Sequence, residues 1–195
     1  MLFRSGDQVT LDGKVLEEKA NDVYIAFNKP VGITCTTERH IEGNIIDFIN
    51  YPERIFPIGR LDKDSQGLIL LTNDGSILNK ILREENNHSK EYLVTVNKVI
   101  TPEFIEAMSN GVKIFNPVQK CHVITKRCQI EKISGRIFKI TLSQGFNRQI
   151  RRMCSQCGYK VVKLEHIKIM DITLDGIEVG KWRNLSQLEL KQIRQ

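Results

Sequence analysis

The chain is poor in the features that would tie it to a disulfide scaffold, a zinc site or a membrane. Its five cysteines (Cys35, Cys121, Cys128, Cys154 and Cys157) make an odd count, which argues against a disulfide framework. Cys154-Ser155-Gln156-Cys157 has metal or redox spacing, and His122 and His166 could be placed with it. There is no second Cys-x-x-Cys, however, and six residues separate Cys121 from Cys128. Thiols acting as small apolar residues are the better account, so no metal site is expected. No stretch approaches the roughly 18 apolar residues of a membrane span. The opening Met1-Leu2-Phe3-Arg4-Ser5-Gly6-Asp7 lacks the apolar core of a secretory signal, so a cytoplasmic protein without membrane contact is the expectation. Internal repeats and low-complexity segments are also lacking.

With 195 residues, 41% of them hydrophobic and 27% charged, the chain suits one substantial domain, or one with a small appendage. Its net charge of +6 is unevenly spread. Residues 1–75 carry 8 Lys and Arg against 12 Asp and Glu, while Lys120 to Lys168 carry 12 against only Glu131 and Glu165. A basic excess confined to one stretch is the footprint of a polyanion partner.

The most informative segment is Gly59-Arg60-Leu61-Asp62-Lys63-Asp64-Ser65-Gln66-Gly67, followed at once by the apolar run Leu68 to Thr72. That run reads as a buried strand bounded by Gly67 and Asn73-Asp74-Gly75, and a loop held by such a strand is where rigid scaffolds carry chemistry. Arg60 beside Asp62 would favour the ionised carboxylate, since a close opposite charge lowers a carboxylate pKa by about 1–3 units. An ordinary surface turn with an exposed ion pair remains the alternative on charge pattern alone.

Elsewhere, strands are expected at Val23–Asn28, Glu91–Asn97, Lys120–Lys126, Gln129–Ile133, Arg136–Leu142 and Lys160–Met170. Helices are expected near Ile45–Ile49, from Ser76 to Arg83 behind an Asp74 cap, after Thr101-Pro102, and over Asn147–Cys157 up to Gly158. Gly6 to Glu18 reads as a hairpin turning at Asp12-Gly13. Strands outnumber helices and seldom alternate with them, which argues for an α+β domain with a mostly antiparallel sheet.

Gly59-Arg60-Leu61-Asp62 with Ser65-Gln66-Gly67-Leu68 resembles the catalytic loop of RNA pseudouridine synthases of the RsuA type. Four further blocks agree in order: Phe27 to Gly32, Lys90 to Val94, Gln144 to Met153, and Val162 to Glu165. The likeness runs from about Tyr24 to Leu185 and is greatest to RluF-like members, which act on large-subunit ribosomal RNA. The resemblance implies the pseudouridine synthase fold, a bisected central sheet flanked by helices with the cleft across its middle. It also implies an isomerase that needs no cofactor, acts as a monomer and has ribosomal RNA as partner. Residues 21–195 would be the catalytic domain. Residues 1–20 would be the remnant or tail of an S4-like RNA-binding domain whose helical front half is absent.

By the same resemblance Asp62 is the catalytic carboxylate, Tyr92 stacks on the uracil, and Arg151 pairs with Asp62. Leu164 lines the uracil pocket. Arg148, Arg152 and Asn147 meet phosphates or sugar, Arg60 touches RNA near the vacated stack, and Lys29 and Lys90 are further RNA contacts. Read as one helix, the segment from Asn147 puts Arg148, Arg151 and Arg152 on neighbouring positions of a single face. The competing reading is a non-catalytic RNA-binding module of ribosome assembly that uses the same basic surface. A zinc enzyme acting on nucleobases would need a His-x-Glu partnered to Pro-Cys-x-x-Cys, which the chain lacks.

Overall fold

The computed structural model describes residues 10–11, 14–15, 22–77 and 88–194. A nine-stranded sheet runs through it. Its strands lie in the order β13 (Trp182–Asn184), β3 (Tyr24–Lys29), β5 (Gln66–Thr72), β11 (Val161–Ile169), β6 (Lys90–Val96), β10 (Ile137–Leu142) and β9 (Gln129–Lys132). Off that path, β4 (Phe56–Ile58) pairs with β5 and β12 (Ile172–Thr173) with β11. The described helices are α1 (Ile45–Ile49), α2 (Pro102–Ser109), α3 (Gln149–Gln156) and α4 (Gln187–Arg194). Two small hairpins stand apart from the sheet, β1 (Thr10–Leu11) with β2 (Lys14–Val15) and β7 (Lys113–Asn116) with β8 (Cys121–Ile124). The fold is therefore α+β with a mostly antiparallel sheet. Among the described residues no helix is long and apolar enough to cross a membrane.

Burial explains why the strands read so differently. Every residue of β3 is buried, because Tyr24 and Ala26 enter one apolar cluster and Ile25 and Phe27 another on the opposite face. A strand covered on both faces reads as a continuous apolar run, and each fully buried aliphatic or aromatic side chain contributes about 1.5–3 kcal/mol. In β10, Phe138, Ile140 and Leu142 are buried and alternate with half-buried neighbours. They join Val94, Val96, Phe104, Met108, Ile150 and Met153 in a third cluster under α2 and α3. The first two clusters belong to the β3–β5 half of the sheet and the third to the β6–β10 half.

The halves meet where β5 and β11 run side by side, the one parallel pairing between strands of this sheet among the described residues. Glu165 lies opposite Gln66 and His166 opposite Gly67. The backbones approach so closely there that a Cβ on Gly67 would stand 2.2 Å from the His166 carbonyl oxygen. Gly67 also has φ of +116°, so any side chain is excluded twice over.

Most expected elements are present, with shifted ends. Thr101 caps α2 by accepting from the Phe104 N–H, and Pro102 opens the helix. Gly158, at φ +77°, ends the turn after α3, where its N–H reaches the Ser155 carbonyl and Tyr159 N–H reaches Cys154. β7 was not expected; it has only four residues. In β11 the expected alternation of Val162, Leu164, Ile167 and Ile169 does not hold, because bulges shift the register on either side of Leu164 to His166. Val162 is consequently exposed. The strands of the first hairpin pair, but its turn at Asp12-Gly13 lies outside the described residues. So does the expected helix beyond Ile77, of which only the Asp74 cap accepting from Ser76 N–H is described.

Candidate active site

A cleft of about 800 Å³ opens across the middle of the sheet. One wall is the loop between β4 and β5. Asp62 sits in it on a tight turn closed by Ser65 N–H donating to the Asp62 carbonyl at 3.0 Å. Gly32 N–H donates to the Lys63 carbonyl at 2.8 Å, and Leu61 N–H to the Cys35 sulfur at 3.4 Å. The Asp62 side chain is 26% exposed and Ser65 is buried, so the carboxylate faces the cleft from a loop that is held from behind.

The opposite wall is the loop from Ser143 to Arg148 and the start of α3. Gln149, buried beneath it, accepts from Phe146 N–H at 3.0 Å and fixes its shape. Arg148 is not part of the helix. It occupies the position before it in left-handed geometry, φ +51° and ψ +34°, and this turns its side chain across the cleft. Its guanidinium donates to both Asp64 oxygens at 2.8 Å and lies 3.5 Å from Asp62 Oδ2. Arg151, one turn into α3, donates to the Asp64 carbonyl at 2.9 Å and to Ser65 Oγ at 3.3 Å. The Arg148 fork, with support from Arg151, holds the Asp64 carboxyl below the usual carboxylate range.

The floor comes from the β6 half. Tyr92 and Leu164 line the cleft. The Tyr92 ring stacks on the His166 imidazole, with centroids 4.6 Å apart and planes 26° from parallel. Burial raises the Tyr92 phenol, and the Asp62 charge adds to the effect, so the hydroxyl stays protonated at neutral pH. Burial pushes the His166 imidazole down to about 4, leaving it neutral. Its Nδ1 lies 2.5 Å from the Leu68 carbonyl oxygen; a carbonyl only accepts, so Nδ1 carries the proton. A carboxylate, a protonated phenol with a flat ring face and the guanidinium groups of Arg60 and Arg148 thus converge on one basic cleft, while Arg151 braces the Asp64–Ser65 segment beside it.

The sequence model for RNA pseudouridylate synthases matches residues 23–156. The chain belongs to that family. It is 55% identical over 189 residues to the dual-specificity RNA pseudouridine synthase RluF of Escherichia coli (strain K12), a match covering 96% of this chain and 63% of that protein. To the ribosomal large subunit pseudouridine synthase B of Bacillus subtilis (strain 168) it is 31% identical over 191 residues, 96% of this chain and 78% of that one. A crystal structure titled as a pseudouridylate synthase superposes with a TM-score of 0.81 at 28% identity, over 99% of this chain and 83% of that one. The chain thus spans 63% of the length of the RluF relatives it matches.

For this member of the family, two sequence expectations are corrected. Lys29 is not a surface RNA contact. It is 0% exposed, and its ammonium donates to the Pro30 and Ile33 carbonyls at 2.9 and 2.8 Å. Burial lowers its pKa, opposed by the charges of Cys35, Asp62 and Asp64. Arg151 is not the ion partner of Asp62: that pair runs to Arg148, because Arg148 leaves the helical spiral and reaches further into the cleft. The exposed Arg60, the half-buried Lys90 and the exposed Asn147 all line the cleft. Arg152 donates to the Asn147 carbonyl, to its side-chain oxygen and to the Phe115 carbonyl. Sequence reasoning missed Asp64 and His166. Asp64 was visible as a second acid two residues after Asp62, while His166 carried no signal without the bulged register of β11.

Proposed function

We propose that the chain is the catalytic domain of an RNA uridine isomerase that converts a uridine of large-subunit ribosomal RNA to pseudouridine. Overall, the bond from ribose C1′ to uracil N1 breaks and one from C1′ to C5 forms. C5 loses a proton and N1 gains one. Atoms and electrons balance without an oxidant or an energy donor, so the proposal includes no cofactor. The target base lies in folded RNA and must leave its stack to reach the cleft, which costs a few kcal/mol. Stacking on an aromatic face such as Tyr92 returns about 1–3 kcal/mol. Leu164 borders the uracil, and Asp62 serves the rearrangement as nucleophile or base. Lys90, Asn147, Arg148 and Arg152 carry phosphate or sugar contacts, and Arg60 touches RNA near the vacated stack. Residues 21–195 form the catalytic domain, working as a cytoplasmic monomer, with residues 1–20 the remnant or tail of an S4-like RNA-binding domain.

The observation that carries this reading is the Asp62 carboxylate facing a basic cleft over Tyr92. A module that only bound RNA would gain nothing from a negative charge inside its basic cleft. Asp62→Asn tests it. Pseudouridine formation in large-subunit ribosomal RNA should fall below detection while affinity for that RNA stays within a few fold. Turnover near wild type would remove Asp62 from the chemistry.

A further inference from the structure

The β7–β8 hairpin stands outside the main sheet and reaches the mouth of the cleft, where Asn116, Val118 and Gln119 line its rim. Val118, at the tip, is 79% exposed. One exposed apolar side chain is unremarkable on a soluble surface, so exposure alone carries nothing. Its setting carries more, because the tip is fixed. The side-chain oxygen of buried Asn116 accepts from Val118 N–H at 3.0 Å and Gln119 N–H at 3.3 Å, and its amide donates to Gln119 Oε1 at 3.0 Å. Arg152 ties the hairpin to α3 by donating to the Phe115 carbonyl at 3.3 Å. From Lys113 to Cys128 the chain has four basic residues, Lys113, Lys120, Lys126 and Arg127, and no acidic one.

We infer that the β7–β8 hairpin is an RNA-gripping arm and that Val118 is its wedge, entering the base stack beside the extruded uridine. This rests on the reading of the cleft as a site for an unstacked uridine. When a base leaves its stack, the gap it vacates must collapse or be filled. Proteins that open a base step frequently do so with an inserted apolar side chain, alongside basic groups that meet the nucleic acid. Val118 is such a side chain, held by Asn116 and two residues before Lys120, at the rim of the cleft that receives the base. The polyanionic backbone of the substrate is the occupant complementary to the arm's unopposed positive charge.

The test uses two hairpin RNAs built from a large-subunit ribosomal RNA stem that contains a uridine. In one the uridine is paired within a stem; in the other it lies in a single-stranded loop, outside the stem's base stack. Val118→Ala and Val118→Gly should lower the ratio of the single-turnover rate on the paired RNA to that on the destacked RNA by about tenfold, and Val118→Leu should restore it. An unchanged ratio in Val118→Gly would overturn the wedge, as would equal losses on both RNAs. A wild type that modified neither RNA would instead strike the uridine-isomerase reading, and the wedge would fall with it.

Discussion

On one wall of the cleft, the Asp62 loop is held by main-chain bonds to its neighbours and by Lys29 and Ser65 buried around it. On the other, buried Gln149 under Phe146 and buried Asn116 across the hairpin tip fix the loop before α3 and the β7–β8 hairpin, while Arg152 bonds Asn147 and Phe115 at the surface. Main-chain bonds and buried side-chain bonds resist displacement, whereas side-chain bonds at the surface exchange more readily with other partners. The acidic wall is therefore built to keep one carboxylate still. The basic wall keeps its buried supports in place and leaves the surface donors of Arg148 and Arg152 able to change partners. Arg148 and Asp64, joined by two 2.8 Å bonds, are where the fixed wall meets the adaptable one.

The contrast is broken most severely at the seam between the sheet halves. Gly67→Ala places a Cβ against the His166 carbonyl at a left-handed φ, and denaturant unfolding should show a loss of about 3 kcal/mol or more, or no folded protein. Acid comes next. The unfolded His166 takes a proton below about pH 6.5 and the folded one only near 4. Stability is thus fully present above the unfolded value and falls as pH drops toward 4, by about 3 kcal/mol from this group. His166→Phe, which keeps a ring against Tyr92, should remove that share of the acid sensitivity. An equally steep loss in the variant would show that other groups cause it.

Arg148→Ala and Arg151→Ala sharpen the comparison at its junction. If Arg148 serves Asp62, its loss should lower the single-turnover rate by roughly 10²-fold, and Arg151→Ala should cost less. The reverse order would return the Asp62 partnership to Arg151. The smallest effect belongs to the adaptable wall. Arg152→Glu should weaken binding to all RNA sequences alike and reduce the slope of log affinity against log salt by about 0.7–0.9, and an unchanged slope would take Arg152 out of the RNA interface.

Much of this architecture was legible because its determinants are local. The apolar run after Gly67 announces β5, Thr101-Pro102 announces α2, and Gly158 announces the end of α3. The strand excess led to the α+β class for the same reason. What could not be read depends on departures from regular geometry. Arg148 looked helical by spacing, yet its left-handed backbone sends it to Asp62 and Asp64. Lys29 looked like a surface cation, yet the turn from Pro30 to Ile33 folds its carbonyls around the ammonium. Ile167 and Val162 looked like core positions until bulges in β11 gave the inward place to His166. Asp64 was passed over because its importance lies in two arginines more than eighty positions downstream.

The parallel seam has a consequence for the order of assembly. Gln66 and Glu165, hydrogen-bonded at 3.1 Å, are 99 positions apart, and the floor beneath Asp62 is completed only when these distant strands zip together. Contacts so remote along the chain form late and slowly. During synthesis, then, the aspartate loop would wait on an unfinished platform until nearly the whole domain had emerged, and the finished cleft would arrive in a single late step.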